Sequence, residues 1–193
     1  MLINRRYHSQ ALILAAYQCI AEYGFEGLRI RQIAAQAGIH PATLYHLYHY
    51  FPTKESLIQR VVEYATGRLA TMTLVTEGTP AEELHFHLML LFQRMLDEAT
   101  LFVVLTEIGL RAQRIPEVAQ TIQQQEAIWH AELVRILHAG IQQGMWPKEL
   151  DTEVVAFTMI AFLEGLSTRA AYEPRRTERA LNQAQVFDFT KPK

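Results

Sequence analysis

An all-α chain is what this sequence predicts, on three observations. Apolar residues recur at helical spacing through nearly every segment, the Val/Ile/Thr alternation of strands is absent, and the breaks fall at Gly or Pro. Composition agrees, because half of the 193 residues are hydrophobic while Gly and Pro number only nine and seven. Such a chain builds cores and does not stay disordered.

About nine helices are expected in order. The first runs over residues 9–23, with Ser9 as its cap and Gly24 as its stop. A short second helix, IRQIAAQA at 30–37, stops at Gly38. Pro41 sits where a first-turn proline is tolerated, so a third helix starts at about His40–Pro41. FPTKESL then supplies a break at Pro52, a cap at Thr53 and a fourth helix to about residue 73. Thr79-Pro80 opens a fifth, in which Leu84, Leu88, Leu91 and Met95 form one stripe. Phe86, Leu90 and Phe92 spread around its other sides, which predicts a helix central in its domain. Residues 100–113 make a sixth. Pro116 opens a long seventh to about Gly144, with Val118, Ile122, Trp129, Leu133, Ile136, Leu137 and Gly140 along one side. Asp151 caps an eighth to about Tyr172, and a short ninth runs from Thr177 to about Phe187.

The net charge of −2 is divided unevenly. Residues 1–60 hold Arg5, Arg6, Arg29, Arg31, Lys54 and Arg60 against Glu22, Glu26 and Glu55, a balance of +3, which leaves −5 for the rest. A basic front on an acidic body points to an anionic partner at one end. The single cysteine, Cys19, forms no internal disulfide and reads as a small core hydrophobe in a reducing compartment. Arg5-Arg6 before ALILAAYQCIA has a superficial secretory look. Gln18 breaks the run and Glu22 follows with no small-residue cleavage site, so it is read as a helix of the mature protein. The run VVAFTMIAFL at 154–163 is about half the ~20 residues of a membrane span, so no membrane association is expected.

Two short helices around a tight glycine turn have a specific use. The first crosses a DNA backbone and braces the second, whose N-terminal residues reach base edges in the major groove. In IRQIAAQAGIHPATLY the small inner face is Ile33, Ala34 and Ala37. Gly38 makes the turn, Ile39 packs inward, and His40 to Thr43 are presented outward. An ordinary αα-hairpin has the same local pattern, and the neighbourhood separates the two. The run ILAAYQCIAEYGFEGLRIRQIAAQAGIHPATLY…YFPTKESL resembles the N-terminal module of TetR-type transcriptional repressors closely over about residues 9–65. The matching pieces are the AA of the first helix, Tyr23 to Gly27, Ile33-Ala34, Gln36 to Gly38, Thr43-Leu44-Tyr and Phe51 to Leu57. Beyond them only the layout is similar, at RIPEVA and at GIQQGMWPKELDTEVVA.

The resemblance implies a helix-turn-helix DNA-binding domain over 1–53 and a helical effector-binding and dimerisation domain over 54–193, linked by the fourth helix. It implies a phosphate contact at Lys54. Arg29 and Arg31 flank the second helix start as further phosphate contacts. Pro41, Ala42 and Thr43 occupy base-proximal positions, where Ala42 and the Thr43 methyl suit a thymine methyl group. Two departures stand out. Arg29 and His40 sit where the family places Ser or Thr caps, each such cap being worth ~1 kcal/mol. His40 is instead expected to donate to phosphate when protonated.

The largest departure is LYHLYH at 44–49. Gly38 to Lys54 is sixteen steps, and deleting either LYH restores the family's spacing, so the repeat reads as a three-residue insertion. Three residues advance a helix by ~4.5 Å and turn it ~300°. One reading lengthens the third helix by nearly a turn, with Leu44 and Leu47 inward and Tyr45, His46, Tyr48 and His49 toward DNA or its rim. The other reading bulges the extra residues at the helix exit. His46 and His49 lack a nearby carboxylate or thiolate, and no metal or cofactor is expected.

In the body, the resemblance implies an effector cavity lined from His87, Met89, Phe92, Phe102, Thr106, Trp129, His130, Met159 and Phe162. An apolar lining with a few orienting polar groups suits a small, largely apolar ligand, although plain core packing explains each residue singly. Thr158, Ala161 and Gly165 at i, i+3/i+4 spacing allow close helix approach, and with Phe162 and Arg169 they resemble the family's dimer face. No nucleophile with a matched base, HExxH, phosphate-cradling glycine loop or Cys/His metal spacing supports an enzyme. The expectation is a cytoplasmic homodimeric repressor of a palindromic operator, released by its effector. The alternative is a helical ligand-binding dimer whose operator binding is altered or lost through the LYH insertion.

Overall fold

The computed structural model describes residues 2–39, 50–70 and 78–184. Eight helices lie among them: α1 (Leu2–Gly27), α2 (Ile30–Gln36), α3 (Lys54–Ala70), α4 (Pro80–Asp97), α5 (Ala99–Ala112), α6 (Pro116–Gln142), α7 (Thr152–Tyr172) and α8 (Pro174–Ala184). The described residues contain no strand, and the predicted all-helical class holds. The helix expected to start at about His40, with the whole LYH repeat, lies outside the described residues, as does the end of the ninth expected helix.

Several expected caps form as their chemistry dictates. Thr79 and Glu82 make a reciprocal capping box, with Pro80 in the first turn of α4. Asp151 caps α7 by accepting from the Val154 N–H at 3.1 Å. Two expected helix starts are wrong. α1 begins at Leu2, because no Gly or Pro interrupts residues 2–9, and Ser9 is left inside the helix. α8 begins at Pro174, where a first-turn proline loses no hydrogen bond. Thr177, its expected start, is instead a buried residue of that helix.

The chain divides into two compact units, Met1–Leu69 with Val103–Ile122, and Ala70–Phe102 with Gln123–Lys193. In the first, α1 turns Leu12, Ala16 and Ile20 inward, and α3 does the same with Leu57, Val61 and Ala65. Tyr17 meets Tyr64 edge-on at 5.5 Å between ring centroids. Gln59 Nε2 donates to Thr121 Oγ1 at 3.1 Å, tying α3 to the start of α6.

In the second unit α7 packs against α4 and α8. α4 was expected to be apolar nearly all round and central. Its buried side is Leu84, Leu88, Leu91, Phe92 and Met95, but Phe86 is 44% exposed and Leu96 also faces solvent, so it has one open face. α6 buries Leu133, Ile136 and Leu137. It closes at Gly144, whose φ of 72° is the left-handed geometry of a helix C-terminus. Trp146 then folds back over Gly140, where a Cβ would collide with the indole.

No helix among the described residues is long and apolar enough to cross a membrane.

Candidate DNA-reading module and effector body

The reading module is assembled from α1 outward. Gly24 takes φ 64° and ψ −179°, which breaks the helix axis. Phe25 and Leu28 beyond it are buried. Arg29 is extended and starts α2 with no side-chain cap bond, so the cap that its sequence lacks is also lacking in the structure. α2 turns Ile33 and Ala34 inward. It ends in a paired C-terminal bond set, Gly38 N–H to Ala35 carbonyl at 3.1 Å and Ile39 N–H to Ala34 carbonyl at 2.8 Å. Gly38 has φ 66°, and a Cβ there would meet nothing within 4 Å. The turn therefore needs glycine for its backbone conformation and not for space.

α3 starts with a second reciprocal cap. Thr53 Oγ1 accepts from the Ser56 N–H at 3.0 Å, and Ser56 Oγ accepts from the Thr53 N–H at 3.3 Å. Lys54 is the first residue of α3 and is half-buried, while Arg29 and Arg31 are exposed at the start of α2. His40, Pro41, Ala42, Thr43, Tyr45, His46, Tyr48 and His49 fall outside the described residues. Three of the eleven expected DNA contacts are therefore placed: Arg29, Arg31 and Lys54.

In the second unit the structure brings two effector candidates together. Trp129 Nε1 donates to His87 Nε2 at 2.8 Å, with the rings tilted by 39°. An indole N–H only donates, so neutral His87 carries its proton on Nδ1. Burial pushes the His87 pKa down, against the opposing pull of Glu132 and Glu83. Those two carboxylates are bridged by Arg135, which meets Glu132 through Nε at 3.0 Å and also reaches Glu83. The Glu132 contact comes first in holding the Arg135 pKa up. His130 Nε2 donates to the Glu153 carbonyl at 3.1 Å. Phe92 and Phe102 are buried, Met89 and Met159 half-buried. Thr106, half-buried, belongs to the first unit.

Phe162 is 61% exposed on α7, the side that also carries the expected dimer residues. Thr158, Ala161, Gly165 and Arg169 are exposed there, with Val154 and Phe157 beside them. At 100° per residue these positions share one face, a strip of small residues edged by two phenylalanines.

Sequence reasoning missed two constellations. Glu126 of α6 and Glu164 of α7 influence each other electrostatically. Partial withdrawal from water, then the carboxyl of Glu126, push the Glu164 pKa up to about 7. Glu107 and Arg111 of α5 close on the α1 exit: Glu107 Oε2 accepts from the Phe25 N–H at 3.3 Å, and the Arg111 guanidinium carbon lies 4.9 Å from the Phe25 ring centroid. Their i, i+4 spacing was the one signal available. Among the described residues, no group of three or more His, Cys, Asp or Glu could hold a metal.

Among the described residues, α2 opens at an exposed arginine and closes in the Gly38 turn, which is the geometry of the first helix of a helix-turn-helix. Residues 12–61 match the family described as bacterial regulatory proteins, tetR family, and residues 80–191 match the C-terminal domain of BetI-type transcriptional repressors. The chain belongs to the TetR family of transcriptional regulators and is not an enzyme. The transcriptional repressor KstR2 of Mycolicibacterium smegmatis is 26% identical over 151 residues, 75% of this chain and 70% of that protein. A transcriptional regulator from Rhodococcus sp. Rha1 shares the fold with a TM-score of 0.75 at 23% identity, over 94% of this chain and 96% of the other. FadR of Bacillus subtilis, solved with stearoyl-CoA, has a TM-score of 0.75 at 21% identity, over 94% and 97% of the two chains.

Proposed function

We propose that this regulator is a cytoplasmic repressor that binds a palindromic operator as a homodimer and is released by a small, largely apolar effector. The observation that carries the reading is the exposed α7 strip of Val154, Phe157, Ala161, Phe162 and Gly165. Apolar side chains 58–68% open at Val154, Phe157 and Phe162 are costly to leave in water, and a small-residue strip lets a second copy's helix approach closely. A two-fold dimer sets two reading helices one turn of DNA apart, which is why the operator is palindromic.

On this reading residues 1–53 read DNA and 54–193 sense and dimerise, with α3 between them. Lys54, aided by the positive end of α3, holds one phosphate, and Arg29 and Arg31 hold others. His40 to Thr43 read bases, and where the LYH repeat lengthens the third helix, Tyr45, His46, Tyr48 and His49 face the duplex or its rim. Within the second unit, the effector lies among His87, Met89, Phe92, Phe102, Trp129, His130 and Met159. Stearoyl-CoA in the Bacillus subtilis regulator supports a ligand with a long apolar part. Effector binding favours a dimer whose reading helices no longer match the half-site spacing.

The LYH insertion supports the second reading, a ligand-binding dimer with altered or lost operator binding. Gel shifts on the DNA upstream of its own coding sequence decide, using the native chain and a chain with one LYH deleted. Tight binding by the native chain supports the repressor; binding only after deletion supports the second reading. Sedimentation that shows a monomer at micromolar concentration overturns both.

A further inference from the structure

We infer that Glu107, with Arg111 one turn beyond it, is a positioning residue for DNA reading: its carboxylate caps the backbone freed at the Gly24 kink and fixes how the chain enters α2. The kink creates the need. With Gly24 at φ 64° and ψ −179°, the next N–H no longer points along α1 toward a helical carbonyl. Phe25 is buried, and a buried N–H without an acceptor is costly. Glu107 Oε2 supplies that acceptor from another helix, 82 residues away in sequence.

The fit around the carboxylate is close. A Cβ on residue 24 would come within 3.1 Å of Oε2, so the carboxylate rests against the bare glycine. Arg111 completes the grip by lying over the Phe25 ring, and its Nε is buried with no hydrogen-bond partner among the described residues. The ring face is what this guanidinium meets. One helix therefore holds both the backbone and the side chain of Phe25.

Only a short stretch separates this grip from α2. Leu28 is buried and its N–H returns to the Phe25 carbonyl at 3.3 Å, and Arg29 then starts α2. Since Arg29 lacks a side-chain cap, the α2 start has less local definition of its own. The grip from α5 replaces some of it. α5 also contributes Ala99–Phe102 to the second unit, so the same helix that fixes the α1 exit belongs in part to the body.

The test compares the full-length native chain with Glu107→Gln, which keeps an acceptor oxygen, and Glu107→Leu, which does not. The DNA probe is the tightest duplex that the native chain selects from a random-sequence library, read by fluorescence anisotropy, with a scrambled duplex at low salt beside it. Glu107→Gln is expected within about threefold of the native affinity. Glu107→Leu is expected to lose about tenfold on the selected duplex while scrambled-duplex binding stays unchanged, because phosphate contacts survive and register does not. The Phe25 amide is expected to be protected from hydrogen exchange in the native chain and to exchange faster in Glu107→Leu. Equal affinity for native and Leu chains, equal losses in Gln and Leu, or a native Phe25 amide that exchanges like an exposed one overturns the inference. If Glu107→Leu does not fold, the Phe25 exchange rates of the native and Gln chains decide. A native chain that selects no duplex counts against the family function and not against this contact, which the exchange measurement then settles alone.

Discussion

Trp129 of α6 donates its indole N–H to Nε2 of His87 on α4, and so fixes the tautomer of a histidine whose charge is opposed by burial and favoured by Glu132 and Glu83. Trp129→Phe keeps most of the ring's bulk, removes the donor and leaves the imidazole nitrogen unsatisfied. A loss of about 1–3 kcal/mol in unfolding free energy is expected, read from denaturant midpoints at constant slope. A variant as stable as the native chain would show that water serves Nε2 equally well.

The same histidine sets a pH dependence. Its folded pKa lies below the ordinary imidazole value, so between the two the unfolded chain binds the extra proton. Stability then rises with pH across that window. The contribution of neutral His87 is fully present above about pH 6.5 and is lost as pH falls toward the folded value. Melting curves of the native chain minus those of His87→Asn should show this difference shrinking from pH 7.5 to pH 5. A difference that grows on acidification contradicts the neutral assignment.

Two glycines separate backbone strain from crowding. Gly38→Ala meets no neighbour, so its cost is that of a Cβ at φ 66°, about 1 kcal/mol. Gly140→Ala sits in helical backbone but drives a Cβ into the Trp146 ring, so it should cost more, roughly 1–3 kcal/mol. Trp146→Ala in the same chain should recover part of the second loss and none of the first. Thermal melting of the two glycine variants, each with and without Trp146→Ala, measures both effects.

What the sequence made legible was local. Thr53, Thr79, Asp151 and Gly38 act within three or four residues of themselves, and each forms the cap or turn that its chemistry dictates. The stripe Leu84, Leu88, Leu91 and Met95 was readable for the same reason, since periodicity alone marks the buried side. What was not legible joins distant segments. Glu107 reaches Phe25 across 82 residues, and nothing local to either residue names the other as its partner. Trp129 and His87 were both singled out, but nothing in their spacing says that they bond to each other. The open face of α4 was also hidden, because Phe86 is as apolar as the residues that α4 buries.

The α7 strip makes a direct prediction about assembly. Ala161→Arg places a long cation in the small-residue centre of the exposed face while leaving the buried side, with Ala156, Ile160 and Leu163, untouched. The variant should melt within about 0.5 kcal/mol of the native chain as a monomer and should sediment as one. Binding to the selected duplex should fall steeply, since a monomer holds one half-site. Dimers that persist in Ala161→Arg would move the interface elsewhere.

Glu164 stands at the edge of that strip, and partial withdrawal from water, with the carboxyl of Glu126 nearby, favours its protonated form. With its folded pKa raised to about 7 over an ordinary carboxyl value of about 4.3, the folded chain binds the extra proton between the two. The sign follows: the group favours the fold below about pH 4, and that advantage is withdrawn as pH climbs through about 7. Glu164→Gln is neutral beside Glu126 without needing the proton. It should therefore match the native chain at pH 5 and melt higher by roughly 2–4 °C at pH 8, where native Glu164 is ionised beside a second carboxylate. If burial against a second copy adds to the desolvation, the gap at pH 8 should widen with protein concentration. It should also disappear in the Ala161→Arg background. A Glu164→Gln chain that gains nothing at pH 8 would show the two carboxylates hydrated and apart.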